Sequence, residues 1–244
     1  MIELKNVTVA YGSRVILDNI SMTIGDGVTL VILGGSGSGK STLLRLLIGL
    51  QKPTSGHILV DGVDITSLSE SEFDQVRRKM GMVFQYSALF DSLSVGENVA
   101  FGLRQHTKLS DEDIKKIVSQ RLDWVGLAGY EDYMPNELSG GMKKRVSLAR
   151  AIAEDASILL YDEPTSGLDP ITSMQISHLI RAMQKRLGCT SLVVTHDMRS
   201  AFYVGDAIAL LDKGNFVEVS PPAQFQESKN KLVQSFIHGQ VDGV

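Results

Sequence analysis

Nine consecutive residues, Gly34, Gly35, Ser36, Gly37, Ser38, Gly39, Lys40, Ser41 and Thr42, constrain this chain more than any others. They follow the apolar run Val28, Thr29, Leu30, Val31, Ile32, Leu33 and precede the helical pattern Leu43, Leu44, Arg45, Leu46, Leu47, Ile48. A buried strand, a glycine loop and a helix start come in that order, which is the context that gives a G-x-x-x-x-G-K-[ST] match its meaning. With no Cβ in the way, successive backbone N–H groups turn inward and form a concave anion site. The helix that follows aims its N-terminal dipole and unpaired N–H groups at the same point. Lys40 is placed to reach the β- and γ-phosphates, and the Ser41 hydroxyl to ligate Mg²⁺. A Gly/Ser-rich turn that binds nothing would need neither the strand before it nor the Lys-Ser pair after it. The chain is expected to bind a nucleoside triphosphate.

The remaining pattern is α/β. Residues 2–4, 7–9, 15–17 and 20–24 alternate as strands, with turns at Gly12-Ser13, Asp18-Asn19 and Gly25-Asp26-Gly27. A strand over 57–60, a polar helix over 70–79 and a short strand over 81–84 lead to Gln85. Three helices, over 95–105, 111–125 and 140–154, then interrupt the alternation, the second with Ser110 as N-cap and acids in its first turn. Strands over 157–161 and 190–194, helices over 169–187 and 197–204, and a hairpin over 207–211 and 216–219 resume it. A block of helices inserted between strands of a parallel sheet predicts a subdomain. The expected division of the 244 residues is a core of 1–85 and 156–222, a helical subdomain of 86–155 and a tail of 223–244. Leu232, Val233, Phe236 and Ile237 give the tail two short helical stretches, and from Gly239 onward it reads as a poor helix.

A second constellation lies on the strand Ile158, Leu159, Leu160, Tyr161, which delivers Asp162 and Glu163 at its C-terminal end. In a parallel sheet that end faces the ligand crevice. Asp162 suits Mg²⁺ held through the ion's own water shell, and Glu163 is placed to polarise a water for in-line attack on the γ-phosphate. Leu138, Ser139, Gly140, Gly141 and Met142 open another helix with a second anion-binding geometry, in a chain that has a single phosphate loop. One triphosphate meets both only where two chains face each other.

Along nearly its whole length the sequence resembles the ATP-binding-cassette (ABC) ATPases. The ordered motifs are the phosphate loop, Gln85 after a short strand, Leu138 to Met142, the Asp162-Glu163 strand end, the turn Ser166-Gly167-Leu168-Asp169, and His196 in Val194-Thr195-His196-Asp197. The resemblance implies a P-loop NTPase (RecA-like) core with an N-terminal antiparallel β subdomain and an inserted α-helical subdomain. It also implies roles. Tyr11 would stack on adenine, and Gln85 would sense the metal and the attacking water. Ser139, Gly140 and Gly141 would close on the γ-phosphate of a partner subunit. Asp169 would contact the opposite site, and His196 would hold the γ-phosphate and water. ATP and Mg²⁺ are the implied cofactors, and a head-to-tail sandwich dimer of this chain the implied assembly.

Met142 stands where most of that family has Gln. Together with residues 84–95, Met134-Pro135-Asn136-Glu137-Leu138 and the tail residues Phe236-Ile237-His238-Gly239 and Asp242-Gly243, it resembles the maintenance-of-lipid-asymmetry (Mla) branch, which moves phospholipid with Mce-type proteins. That resemblance implies two membrane permease subunits, an Mce-domain lipid-binding protein and a small cytosolic regulatory subunit as partners. It places the chain on the cytoplasmic side of an inner membrane, with residues 84–95 receiving the permease. The alternatives are the ATPase of an amino-acid-type importer and a non-transport ATPase of DNA repair or translation. A net charge of −4 and a pI near 5.7 leave no basic footprint for nucleic acid. The lone cysteine, Cys189, excludes an intramolecular disulfide and reads as a small buried residue at a strand start. No apolar run approaches bilayer length.

Overall fold

A computed structural model describes residues 1–239. The chain begins with β1 (Ile2–Tyr11), β2 (Arg14–Ile24), β3 (Thr29–Leu33), α1 (Lys40–Leu47), β4 (Ser55–Val60), β5 (Val63–Asp64), α2 (Glu70–Arg77) and β6 (Met80–Val83). It continues through α3 (Val95–His106), α4 (Asp111–Trp124), a 3-10 turn at Pro135–Glu137, α5 (Gly140–Ala151), β7 (Ile158–Asp162) and α6 (Pro170–Leu187). The last elements are β8 (Thr190–Thr195), α7 (Met198–Val204), β9 (Ala207–Asp212), β10 (Asn215–Ser220), α8 (Pro222–Gln226) and α9 (Lys231–Ile237). Residues 240–244, the end of the expected tail, lie outside the described residues.

The molecule divides into two compact units, one of residues 1–77 with the chain from Thr190 onward, the other of Arg78–Cys189. In the first, an antiparallel sheet runs in the order β2-β1-β4-β5. Beside it, β3 lies between β8 and β9, parallel to both, and β10 pairs antiparallel with β9. All five residues of β3 and all six of β8 are buried, which is why neither alternates: β3 is apolar after Thr29, and β8 has the apolar centre Leu192-Val193-Val194 between hydroxyl residues. In the second unit β6 and β7 pair in parallel, and α5 packs against β6, α3, α4 and α6.

The N-terminal strands are longer than their sequence pattern predicts. The expected pieces 2–4 and 7–9 fuse into β1, because Asn6 adopts a φ of 53° and donates its N–H to Ser21 Oγ at 2.9 Å. Asp18-Asn19 is likewise a bulge inside β2 and not a turn. Asn19 has a φ of 49° and donates its N–H to Thr8 Oγ1, while the Asp18 N–H goes to Gly214 O. Bulges of this kind keep both strands paired while re-aiming their side chains. The helix expected to reach residue 154 ends at Ala151. There the Ile152 carbonyl accepts from Arg121 Nε at 3.1 Å and Asp155 turns to a φ of 54° with its carboxylate on Arg121, so the chain leaves the helical path. Caps fix the other boundaries. Ser110 accepts from the Asp113 N–H to start α4, and Ser94 with Glu97 forms a capping box on α3.

Candidate functional site

The first unit carries the phosphate loop. Leu33 pairs with Thr195, so Gly34 and His196 leave neighbouring parallel strands at the same level, and His196 is exposed there. The loop cannot carry side chains at two of its glycines. A Cβ on Gly34 would lie 2.4 Å from Leu211 O, and one on Gly39, whose φ is 111°, would lie 2.6 Å from Leu17 Cδ2. Gly39 is the N-cap of α1, so the first turn of that helix opens directly onto the loop. Lys40 is buried, and its ammonium donates to Gly34 O at 2.7 Å and Gly35 O at 2.9 Å, which holds it across the loop. Gly35, Ser36, Gly37 and Ser41 are exposed and Thr42 half-buried.

Tyr11, Arg14, Ile16 and residues 37–42 line an open pocket of about 370 Å³. Tyr11 is 57% exposed, and its hydroxyl donates to Gln51 Oε1 at 2.7 Å, which steadies the ring at the pocket wall. The structure thus brings Tyr11 to the phosphate loop across a long stretch of sequence. It adds Arg14 and Ile16, which carry no motif. The one signal for Arg14 was its place opposite Tyr11 across the Gly12-Ser13 turn.

The second unit carries the carboxylates and the signature. Val83 pairs with Tyr161, so Phe84-Gln85 and Asp162-Glu163 leave adjoining strands at one level. Gln85 donates through Nε2 to Ser166 Oγ at 3.4 Å. Glu163 has a φ of 46°, a left-handed conformation rare for a residue with a Cβ. Lys144 of α5, given no site role by the sequence, is buried and donates to the carbonyls of Phe84, Gln85 and Glu163.

Ser139 is the N-cap of α5, accepting from the Met142 N–H at 3.3 Å, and both Ser139 and Gly140 are exposed. Gly141 is a close approach, since a Cβ there would lie 2.6 Å from Thr172 Cγ2 of α6. Asp169 caps α6, accepting from the Ile171 and Thr172 N–H groups at 3.0 Å each and from the Thr172 hydroxyl. The Thr172 hydroxyl, with the backbone donors, holds the Asp169 carboxyl below its ordinary value. The residue thus has a structural duty beside the one expected of it.

Among the described residues no three His, Cys, Asp or Glu side chains gather as a metal cage. Ser41 in the first unit, and Gln85 and Asp162 in the second, carry the oxygen donors, a hydroxyl, an amide and a carboxylate, that suit Mg²⁺. That ion keeps several waters and takes its other oxygens from substrate phosphates.

The same unit has an open groove of about 320 Å³ whose lining includes Met82, Phe84, Phe90, Phe101, Arg150 and Glu154. Phe90 and Phe101 meet with ring centroids 4.6 Å apart and planes tilted by 38°, and Arg150 lies 5.9 Å over Phe90. Tyr86, beside the groove residues in sequence, is 87% exposed.

The family model for the ABC transporter matches residues 17–166, from β2 through the phosphate loop, the signature and the paired carboxylates. The chain belongs to the ABC transporter family. A curated relative, the intermembrane phospholipid transport system ATP-binding protein MlaF of Haemophilus influenzae, is 42% identical over 243 residues, spanning 100% of this chain and 92% of that one. The methionine import ATP-binding protein MetN of Haemophilus ducreyi is 41% identical over 97% of this chain and 70% of its own length. Among solved structures, a dimeric post-hydrolysis state of the ATP-binding cassette MJ0796 bound to ADP and Pi superposes with a TM-score of 0.84. It is 36% identical and covers 91% of this chain and 99% of that one. The chain is therefore an MlaF-like ABC ATP-binding subunit with the ABC ATPase fold, and it hydrolyses ATP, with Mg²⁺, to drive transport. That sets aside the reading as a non-transport ATPase.

Proposed function

We propose that this ABC ATPase powers phospholipid transport across a two-membrane envelope. The carrying observation is the full-length similarity to MlaF, in a chain whose signature ends in Met142 before Lys143, Lys144 and Arg145. MetN, at 41% identity, supports a second reading as the ATPase of a small-solute importer.

In either case the residue roles are the same proposal. Tyr11 stacks on adenine. Residues 34–42, with Lys40 at the β- and γ-phosphates, bind the triphosphate, and Ser41, Asp162 and Gln85 would hold Mg²⁺, which would supply charge neutralisation at those phosphates. Glu163 orients and deprotonates the attacking water. His196 holds the γ-phosphate, while Ser139, Gly140, Gly141 and Asp169 act on the site of a second copy in a head-to-tail dimer. The functional division proposed is core 1–85 and 156–222, helical subdomain 86–155 and tail 223–244. The groove around Phe84, Phe90 and Phe101 suits an apolar segment of a membrane permease, because its aromatic floor is exposed and rimmed by Arg150 and Glu154. Among the described residues no helix is long and apolar enough to cross a membrane, so attachment to one is proposed to run through that permease. An Mce-domain protein and a small regulatory subunit complete the proposed complex, on the cytoplasmic face of the inner membrane.

Purification of the tagged chain from native membranes in mild detergent tests this reading. Recovery of a polytopic permease, an Mce-domain protein and bound phospholipid is expected. A solute permease without lipid would promote the importer. Glu163→Gln should keep ATP binding and lower turnover by about a hundredfold or more, and undiminished turnover would remove Glu163 as the base.

A further inference from the structure

A buried lysine on the signature helix has no part in the site as so far described. Lys144 is 4% exposed, and its ammonium has three N–H donors for three backbone carbonyls. These are Gln85 O, Phe84 O at 3.5 Å and Glu163 O at 3.4 Å. Two of the carbonyls directly follow β6 and the third directly follows β7, so one side chain of α5 ties together the exits of the two strands that present Gln85 and Glu163. Burial pushes the Lys144 ammonium below its ordinary value, while the charges of Asp162 and Glu163 oppose that shift. A buried cation is a costly way to fill space, and a methionine would fill it more cheaply.

The tied segments also contain left-handed backbone at residues that carry a Cβ. Glu163 has a φ of 46°, and Ser87 and Ala88, just after Gln85, have φ values of 63° and 47°. Such conformations persist only where the surroundings impose them. A second cation of the same helix supplies the rest of the clamp. Arg150 donates to Ala88 O at 2.8 Å and Ser87 O at 3.0 Å. Residues 84–88 are therefore gripped at both ends from α5, whose N-cap is the signature residue Ser139.

We propose that Lys144 is a positioning residue for ATP hydrolysis, locking the backbones of Gln85 and Glu163 to the helix that begins at the signature. Any displacement of that helix is then delivered to both residues at once. The inference rests on the roles given above to Gln85 and Glu163.

The test uses the full-length chain in its membrane complex and compares Lys144→Met, Lys144→Arg and Glu163→Gln, with turnover expressed per ATP-binding site. Lys144→Met is expected to lower kcat about tenfold or more, as a misplaced catalytic group does, with KM for ATP changed by no more than about twofold. Lys144→Arg, which keeps a cation with several donors, is expected to recover most of kcat. A kcat for Lys144→Met close to that of the natural chain would overturn the proposal, as would equal losses in the Met and Arg variants. Should Lys144→Met fail to bind ATP, Lys144→Gln, which keeps amide donors, is read by the same two criteria. Glu163→Gln separates the failures. If it is inactive while Lys144→Met is unimpaired, only the positioning role falls; if it is fully active, the reading of Glu163 falls first.

Discussion

Replacing Gly141 by Ala tests how tightly the signature is seated against α6. The new Cβ would sit 2.6 Å from Thr172 Cγ2, where ordinary contact is 3.4–4 Å, so the two helices must part by about 1 Å or the methyl must turn away. The methyl has little room to turn, because the Thr172 hydroxyl is held by the Asp169 carboxylate. Overpacking of this kind costs about 1–3 kcal/mol. Opposing it, Ala is a better helix former than Gly by up to about 1 kcal/mol, and Gly141 is not among the residues with positive φ. A net loss of about 1–2 kcal/mol is expected, a drop of about 2–8 °C in Tm for a chain of this size. ATPase activity should fall further than stability, since the displaced residues are those proposed to meet the second copy's γ-phosphate.

Thr172→Ser supplies the control. It removes Cγ2, keeps the hydroxyl for Asp169, and leaves Thr172 Cβ, 4.0 Å away, as the next nearest atom. In that background Gly141→Ala should become neutral or stabilising, a change of sign that no uniform loosening of the fold would give. Denaturant midpoints and steady-state ATPase rates of the two single variants and the double variant complete the cycle. If Gly141→Ala costs the same in both backgrounds within about 0.5 kcal/mol, the contact with Thr172 does not set the demand for glycine.

What was legible in the sequence was whatever a short stretch of chain encodes alone. The phosphate loop, the Asp162-Glu163 strand end and the signature helix start each carry their geometry in fewer than a dozen residues. The ABC fold was what the resemblance carried by their order implied. Lys144 was not legible. It is one of three consecutive basic residues with Lys143 and Arg145, and its partners Phe84 and Gln85 lie about sixty residues away, so only packing sends it inward. The bulges at Asn6 and Asn19 were misread for a related reason. A turn-forming residue was taken to end a strand, whereas the hydroxyls of Ser21 and Thr8 satisfy the backbone from the neighbouring strand and let pairing continue. Gly141 was singled out for its anion-binding geometry. That it also faces Thr172 required knowing where α6 lies.

Two further substitutions bear on the site and on the strand that delivers it. Arg14→Ala should raise the KM for ATP about fivefold at low ionic strength, the worth of roughly 1 kcal/mol of charge-assisted contact, with a smaller effect as salt is added. An unchanged KM at low salt would remove Arg14 from the pocket that it lines with Tyr11. Tyr161→Phe probes β7 just before Asp162. The ring is fully buried and its hydroxyl is a buried group without a hydrogen-bond partner, a condition that also pushes its pKa well above the ordinary tyrosine value. An unpaired buried hydroxyl costs about 1–3 kcal/mol, so deleting it while keeping the ring should stabilise the chain by about 1 kcal/mol and raise Tm by about 2–4 °C, with ATPase activity unchanged. Most changes to a filled core destabilise, and the sign therefore decides. A loss of more than about 1 kcal/mol would mean that the phenol makes a hydrogen bond worth keeping, and that β7 is held at the carboxylate end by more than apolar packing.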